Sequence, residues 1–205
     1  MLERFRKRKN NNLDGNKDEA NKLYKQAVVL RDNGLVILRD GDFEGGRKLL
    51  NEAMRLLREQ EKICREITDK RGLADSLDIQ ADATAALGDL KESLNIHRKV
   101  EKICREINYK KRLASTLGDI GELQHMNLNF DKAMESFEEQ EKICREINNN
   151  EGLATSLFNQ GSLLSRFDRS ESLFLIDEAM AIAKKNELKH LVDHFSYGRK
   201  ILGFE

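Results

Sequence analysis

The chain has 205 residues, 35% of them charged and 39% hydrophobic, and it contains neither proline nor tryptophan. Its 36 Lys and Arg balance 36 Asp and Glu, so it lacks the basic excess of a general nucleic-acid binder, and it is too apolar for a wholly disordered chain. Leu, Ala, Glu, Lys and Arg dominate and no β-branched or aromatic alternation is sustained, which excludes a β fold and predicts an all-α one.

Residues 1–16 begin with Arg4, Arg6, Lys7, Arg8 and Lys9 beside Leu2 and Phe5. No apolar core follows, so this is not a secretory signal. It is expected to be a disordered leader, the alternative being a weak, salt-sensitive tether to a membrane surface or nucleic acid. No apolar run approaches the ~18 residues of a membrane span. Three cysteines, an odd number, without a targeting segment point to the reducing cytoplasm.

From residue 17 onward the chain repeats. The heptapeptide EKICREI stands at 61–67, 101–107 and 141–147, a period of 40. Leu73-Ala74, Leu113-Ala114 and Leu153-Ala154 keep the same frame, as do the small residues Ala81, Gly121 and Gly161. Repeats are expected over about 17–69, 70–109, 110–149 and 150–186, each reading helix, tight turn, helix, loop. In the second, helices are expected over roughly 70–87 and 90–107, with Asp89 capping the latter and Glu92 completing a capping box. The loops TDKRG, NYKKR and NNNEG end helices without proline, and Asn tolerates the left-handed conformation such ends require. In the first repeat Gly34, Gly41-Asp42-Phe43, Gly46 and Ala53 match Ala81, Gly88-Asp89-Leu90, Ser93 and Val100 at a spacing of 47. Seven extra residues therefore lie within MRLLREQ. They advance a helix by about 700°, ~20° short of two turns, so its apolar face stays in register. The last repeat loses EKICREI and has an irregular turn at Phe167-Asp168-Arg169-Ser170, and 187–205 is expected to be a capping helix and tail. A terminal repeat differs because one face has no neighbour.

These elements resemble tetratricopeptide repeats in a longer variant of about 40 residues. The resemblance rests on the small residue in each first helix (Gly34, Ala81, Gly121, Gly161), the Gly-Asp-Phe/Leu turn, and the pairs Gly46/Leu50 and Ala133/Phe137 in second helices. The sequence departs from the family where Ile37, Thr84, Gln124 and Leu164 replace a frequent aromatic, and in lacking the late proline. The resemblance implies a right-handed superhelical solenoid of antiparallel helix pairs, about four repeats and a cap, that binds peptides or proteins in a concave groove.

On the second helices Ser93, His97, Val100 and Cys104 fall at offsets 0, 4, 7 and 11, one helical stripe, repeated by Ala133, Phe137, Gln140 and Cys144. Cys64, Cys104 and Cys144 are thus expected on the packing face as buried structural thiols. Redox sensing and metal binding are the alternatives, but packed repeats lie on the order of 10 Å apart. That is beyond the ~7 Å a disulfide spans and the ~2.3 Å of a metal–thiolate bond. Ile63 and Ile67 join this face, while Glu61 with Arg65 and Lys62 with Glu66 form i,i+4 pairs expected to face water. His190 and His194, with Asp193 beside them, share a face, but without H-E-x-x-H or an obvious third ligand they are read as a surface pair. No phosphate loop, dinucleotide fingerprint or triad spacing is present, and Gly45-Gly46 sits inside a helix. No catalytic residue, cofactor or metal is therefore expected.

By carry-over from the family, the groove is lined by Val28, Arg31, Leu35 and Leu38 in the first repeat and by Asp75, Asp78 and Asp82 in the second. The third contributes Ser115, Gly118, Glu122 and His125, and the fourth Thr155, Phe158, Ser162 and Ser165. Asp75, Asp78 and Asp82 share a helical face and with Glu122 would favour a partner carrying Lys or Arg, the plain alternative being a solvated helix face. The Lys/Asn clamp with which some relatives hold a chaperone's C-terminal carboxylate is absent. The expected function is a non-enzymatic scaffold or adaptor for a protein or peptide, without nucleic acid or membrane span. Alternatives are a ligand- or peptide-sensing domain that controls a separate effector, and a self-assembling structural module.

Overall fold

A computed structural model describes the backbone of residues 2–204 and the side chains of 14–204. The basic stretch 4–9, and with it most of the expected leader, lies outside the described side chains. Among the described residues there are nine α-helices and no strand. They divide between two compact halves, residues 1–108 and 109–205.

The first half contains α1 (Leu2–Arg39), α2 (Phe43–Glu66), α3 (Lys70–Ala86) and α4 (Leu90–Glu106). Consecutive helices pack as hairpins, and α1 also lies against α3. Helix α2 has 24 residues where α4 has 17, a difference of seven. The two added turns bury Leu56 and Leu57, with Ala53, against Ala27 of α1 and Ile79 of α3. Beyond them Gln60 and Cys64 remain buried, so the insertion keeps EKICREI in register, as two near-complete turns should.

Turn geometry follows residue type. Gly41 and Gly88 take φ of 94° and 97°, and Gly88 N and Asp89 N return to Ala85 O and Thr84 O at 2.9 and 3.1 Å. This closes α3 with its last carbonyls satisfied. Asp89 accepts from Glu92 N at 3.0 Å, but the reciprocal arm of the capping box is not made. Asp89 N is already used by Thr84, and Glu92 accepts from Asn95 instead at 3.3 Å. Asn108, Asn148 and Thr68 adopt φ of 53°, 55° and 58° at the three equivalent loop positions. A β-branched residue is strained there, since the left-handed region costs an ordinary L-residue roughly 1–2 kcal/mol. Thr68→Asn is therefore expected to raise stability by about 0.5–1 kcal/mol, read as a higher urea midpoint at unchanged slope. An unchanged or lower midpoint would contradict the assignment.

The second half contains α5 (Lys110–Met126), α6 (Phe130–Glu146), α7 (Asn150–Leu164), α8 (Arg169–Lys185) and α9 (Lys189–Ile201). Consecutive helices pack here too, and α5, α7 and α9 follow one another along one face. Ala133, Phe137 and Leu163 form a core cluster under Phe130 and Met134. Gly121 is required opposite Phe137, because a Cβ there would overlap the ring. At Gly161 a Cβ would stand 2.9 Å from Ser172 O, and this close approach lets Ser172 Oγ donate to Gly161 O at 2.6 Å. After α9, Phe204 is buried under the Arg169 guanidinium, 4.4 Å from the ring centroid.

EKICREI has a more specific role than a packing stripe with solvated charges. Cys64, Cys104 and Cys144 are buried, and burial, helped by Asp69, Asp75 and Glu61, pushes the Cys64 thiol up to about 11. Cys144 rises likewise to about 11, through burial and then Glu141, so both stay protonated near neutrality. Glu61 holds Arg65 at 2.8 Å and also accepts from Gln80 of the next repeat's first helix at 3.1 Å. Glu141 does the same with Arg145 at 2.8 Å and Gln160 at 2.8 Å. In these two copies the glutamate thus links the second helix to the following first helix. Within a repeat, the start of the first helix is tied to the end of its partner by Lys70–Glu106, Lys110–Glu146 and, in the last, Asn150–Asn186.

Candidate functional site

In the first half the expected groove residues turn toward one another. Arg31 Nη1 of α1 meets Asp82 Oδ2 of α3 at 2.6 Å, and its Nε lies 2.8 Å from Asp32. Asp78 is 3% and His97 2% exposed. His97 Nδ1 stands 3.7 Å from Asp78 and its Nε2 3.8 Å from Asp82. Asp75 is half-buried and close enough to Cys64 to raise its thiol. The three aspartates do share a face, but that face is packed on α4 and tied to α1. Leu35 is half-buried. Leu38 packs between α1 and α2, where a Cβ on Gly46 would come within 2.5 Å of it.

The second half holds a cleft of about 320 Å³ between α5, α6 and α7. It brings together the expected Ser115, Gly118 and Glu122 of α5 with Thr155 of α7, and adds Lys111, Asp119, Gln140, Cys144, Asn149 and Glu151. Lys111, Ser115, Gly118 and Glu122 stand at offsets 0, 4, 7 and 11, so extending the stripe one turn toward the N-terminus would have found Lys111. The same step from Thr155 reaches Glu151. Gln140 offers no such signal, since it belongs to the packing stripe of the second helix.

Local chemistry shapes the floor. Asn149 caps α7, accepting from Gly152 N at 3.2 Å, and a Cβ on Gly152 would lie 2.6 Å from Cys144 Sγ. A Cβ on Gly118 would meet Gln140 Nε2 at 2.7 Å, so the glycine lets the amide lie beneath the cleft. Gln140 is 4% exposed and its Oε1 has no hydrogen-bond partner. Leaving a buried acceptor unsatisfied costs about 1–3 kcal/mol. At the rim, Glu122 accepts from Asn159 at 3.3 Å and Glu151 lies 3.1 Å from His190 Nε2.

The remaining candidates lie elsewhere. His125 is exposed at the α5–α6 turn, with its ring 5.7 Å from Phe130. Phe158 is buried beneath α9, stacked on Phe195 at 4.4 Å, so the last helix covers the groove position of the fourth repeat. Ser162 is half-buried, and its carbonyl accepts from Ser165 at 2.7 Å. His190 faces Glu151 while His194 lies 5.5 Å from the Phe158 ring, so the two turn to different partners. No helix among the described residues is long and apolar enough to cross a membrane.

No family model matches the chain, and no curated protein sequence does. Solved structures do. Aspartyl phosphate phosphatase F from Bacillus subtilis superposes over 88% of this chain with a TM-score of 0.66 at 12% identity. The apo form of RapI covers 90% at 0.67 and 17%. A putative kinesin light chain from Podospora anserina with nearly identical TPR-like repeats covers 90% at 0.61 and 14%, and the match takes in 96% of that chain. The chain spans 46% of the phosphatase and 63% of RapI. The protein is a TPR-like helical repeat protein, all-α, built from helix pairs of the kind found in helical repeat solenoids.

Proposed function

We propose that this protein is a non-enzymatic binding module that takes a peptide, or an extended segment of a partner protein, across the first-helix face of its repeats. The carrying observation is the α5–α6–α7 cleft, where expected groove residues from two successive repeats, Ser115, Gly118 and Glu122 with Thr155, line one hollow. Its volume lies within the usual range for a ligand site, and its lining mixes charged, amide and hydroxyl groups suited to a polar main chain. The two high thiol pKa values suit Cys64 and Cys144 to a structural part.

A random-peptide display library panned on the chain should yield binders that depend on this face. Thr155→Arg or Ser115→Trp is expected to weaken them at least tenfold, whereas Glu138→Arg on an exposed position of α6 leaves them unchanged. Binders indifferent to both groove substitutions, or no binders at all, would overturn the reading.

A further inference from the structure

We propose that the α5–α6–α7 cleft is a subsite for a cationic side chain, arginine or lysine, of the bound segment, with Gln140 as its buried acceptor. The proposal rests on the groove reading and assigns to this cleft one residue class of the partner. Three observations carry it.

First, the cleft has an unmet need. Gln140 lies at its floor, 4% exposed, and its Oε1 has no partner in the folded chain. Only a donor meets that need. A guanidinium or ammonium group donates without accepting, and the guanidinium fork can serve an amide oxygen and a carboxylate at once. Second, the lining is unbalanced in charge: Glu122 and Glu151 at the rim stand against Lys111. A carboxylate has about four acceptor sites, so Glu122 and Glu151 keep capacity beyond Asn159 and His190. An acidic lining also disfavours anionic segments. Third, the hollow belongs to this repeat. The position held by Gly118 carries Asp78 in α3 and Phe158 in α7, both buried, so a side chain fills the space that the glycine leaves open. The acidic selectivity expected from Asp75, Asp78 and Asp82 is thereby moved to α5 and α7, because Asp78 faces His97 and Asp82 is committed to Arg31 and His97.

The test is a titration of the ¹⁵N-labelled full chain with the tripeptide amide acetyl-Gly-Arg-Gly-NH₂ and its neutral counterpart with citrulline for arginine. The arginine peptide should shift the Gln140 side-chain amide and the backbone signals of Gly118, Glu122 and Thr155, saturating in the millimolar range. The citrulline peptide should bind at least tenfold more weakly. Gln140→Met and the surface substitution Glu122→Gln should each weaken binding at least fivefold. The second guards against a folding defect in the first. Equal shifts with citrulline, shifts elsewhere on the surface, or indifference to both substitutions would overturn the subsite. Display binders that need Ser115 and Thr155 yet carry no Lys or Arg would overturn it while leaving the groove reading intact. Saturable arginine binding here, with no binders from the library, would do the reverse.

Discussion

Truncating Phe137 to Ala is expected to destabilise the protein by about 3–5 kcal/mol, the range for removing a buried aromatic without full collapse of the cavity. Phe137 is 1% exposed and joins Ala133 of its own helix to Leu163 of the next repeat, so its loss opens both interfaces. It also fills the space left by Gly121, where a Cβ would overlap the ring. The converse change, Gly121→Ala, overpacks the same site and should cost about 1–3 kcal/mol despite the better helix propensity of Ala. Because one defect is a void and the other an excess at a single contact, the pair should couple. Phe137→Leu with Gly121→Ala should cost less than the sum of the two single changes. Urea denaturation of the four proteins measures this. Additive costs would mean that the ring and the glycine do not share the contact described.

The second large effect is expected at the polar cluster of the first half. Arg31→Met keeps the aliphatic length but removes the ion pair with Asp82 and leaves a carboxylate beside buried His97 and Asp78. Breaking a fully buried pair costs roughly 3–5 kcal/mol. The Arg31 and Asp82 side chains are 18% and 28% exposed, and solvent screening reduces this to about 1–3 kcal/mol. Asp82→Asn in the Arg31→Met background should recover part of the loss, since the uncompensated charge is then gone. A thermal melt of the four variants decides this, and the absence of any recovery would place the cost in packing rather than charge.

Much of the architecture was legible in the letters because it depends on periods. The 40-residue frame, the ends of α3 and α4 and the seven-residue lengthening of α2 all follow from where apolar and turn residues recur. Asn108 and Asn148 were readable as helix ends for the same reason. The repeat frame put Leu128 at the turn where Gly41 and Gly88 stand, but its φ of 60° was not readable, since propensity alone argues against a leucine in that conformation. The capping box at Asp89 was half readable, since the cap depends on local sequence while its reciprocal arm lost to a backbone carbonyl.

The groove divides along the same line. Offsets along one helix placed Asp75, Asp78 and Asp82 on one face, and the family resemblance put Ser115, Gly118 and Glu122 in the groove. Helical spacing states which side chains are neighbours on a cylinder, but says nothing of what stands opposite. His97 in place of an aromatic, and Arg31 one helix away, turned the first set inward. Phe195 closed over Phe158, removing it from the open face. The absence of a side chain at Gly118, together with an amide from α6 beneath it, opened the cleft. By itself the sequence determined the helices, their repeat and the buried thiols, because these follow from local period and composition. Which polar residues are satisfied inside the protein and which are left for a partner was decided only by tertiary structure, since a buried donor or acceptor is settled by whatever packs across from it.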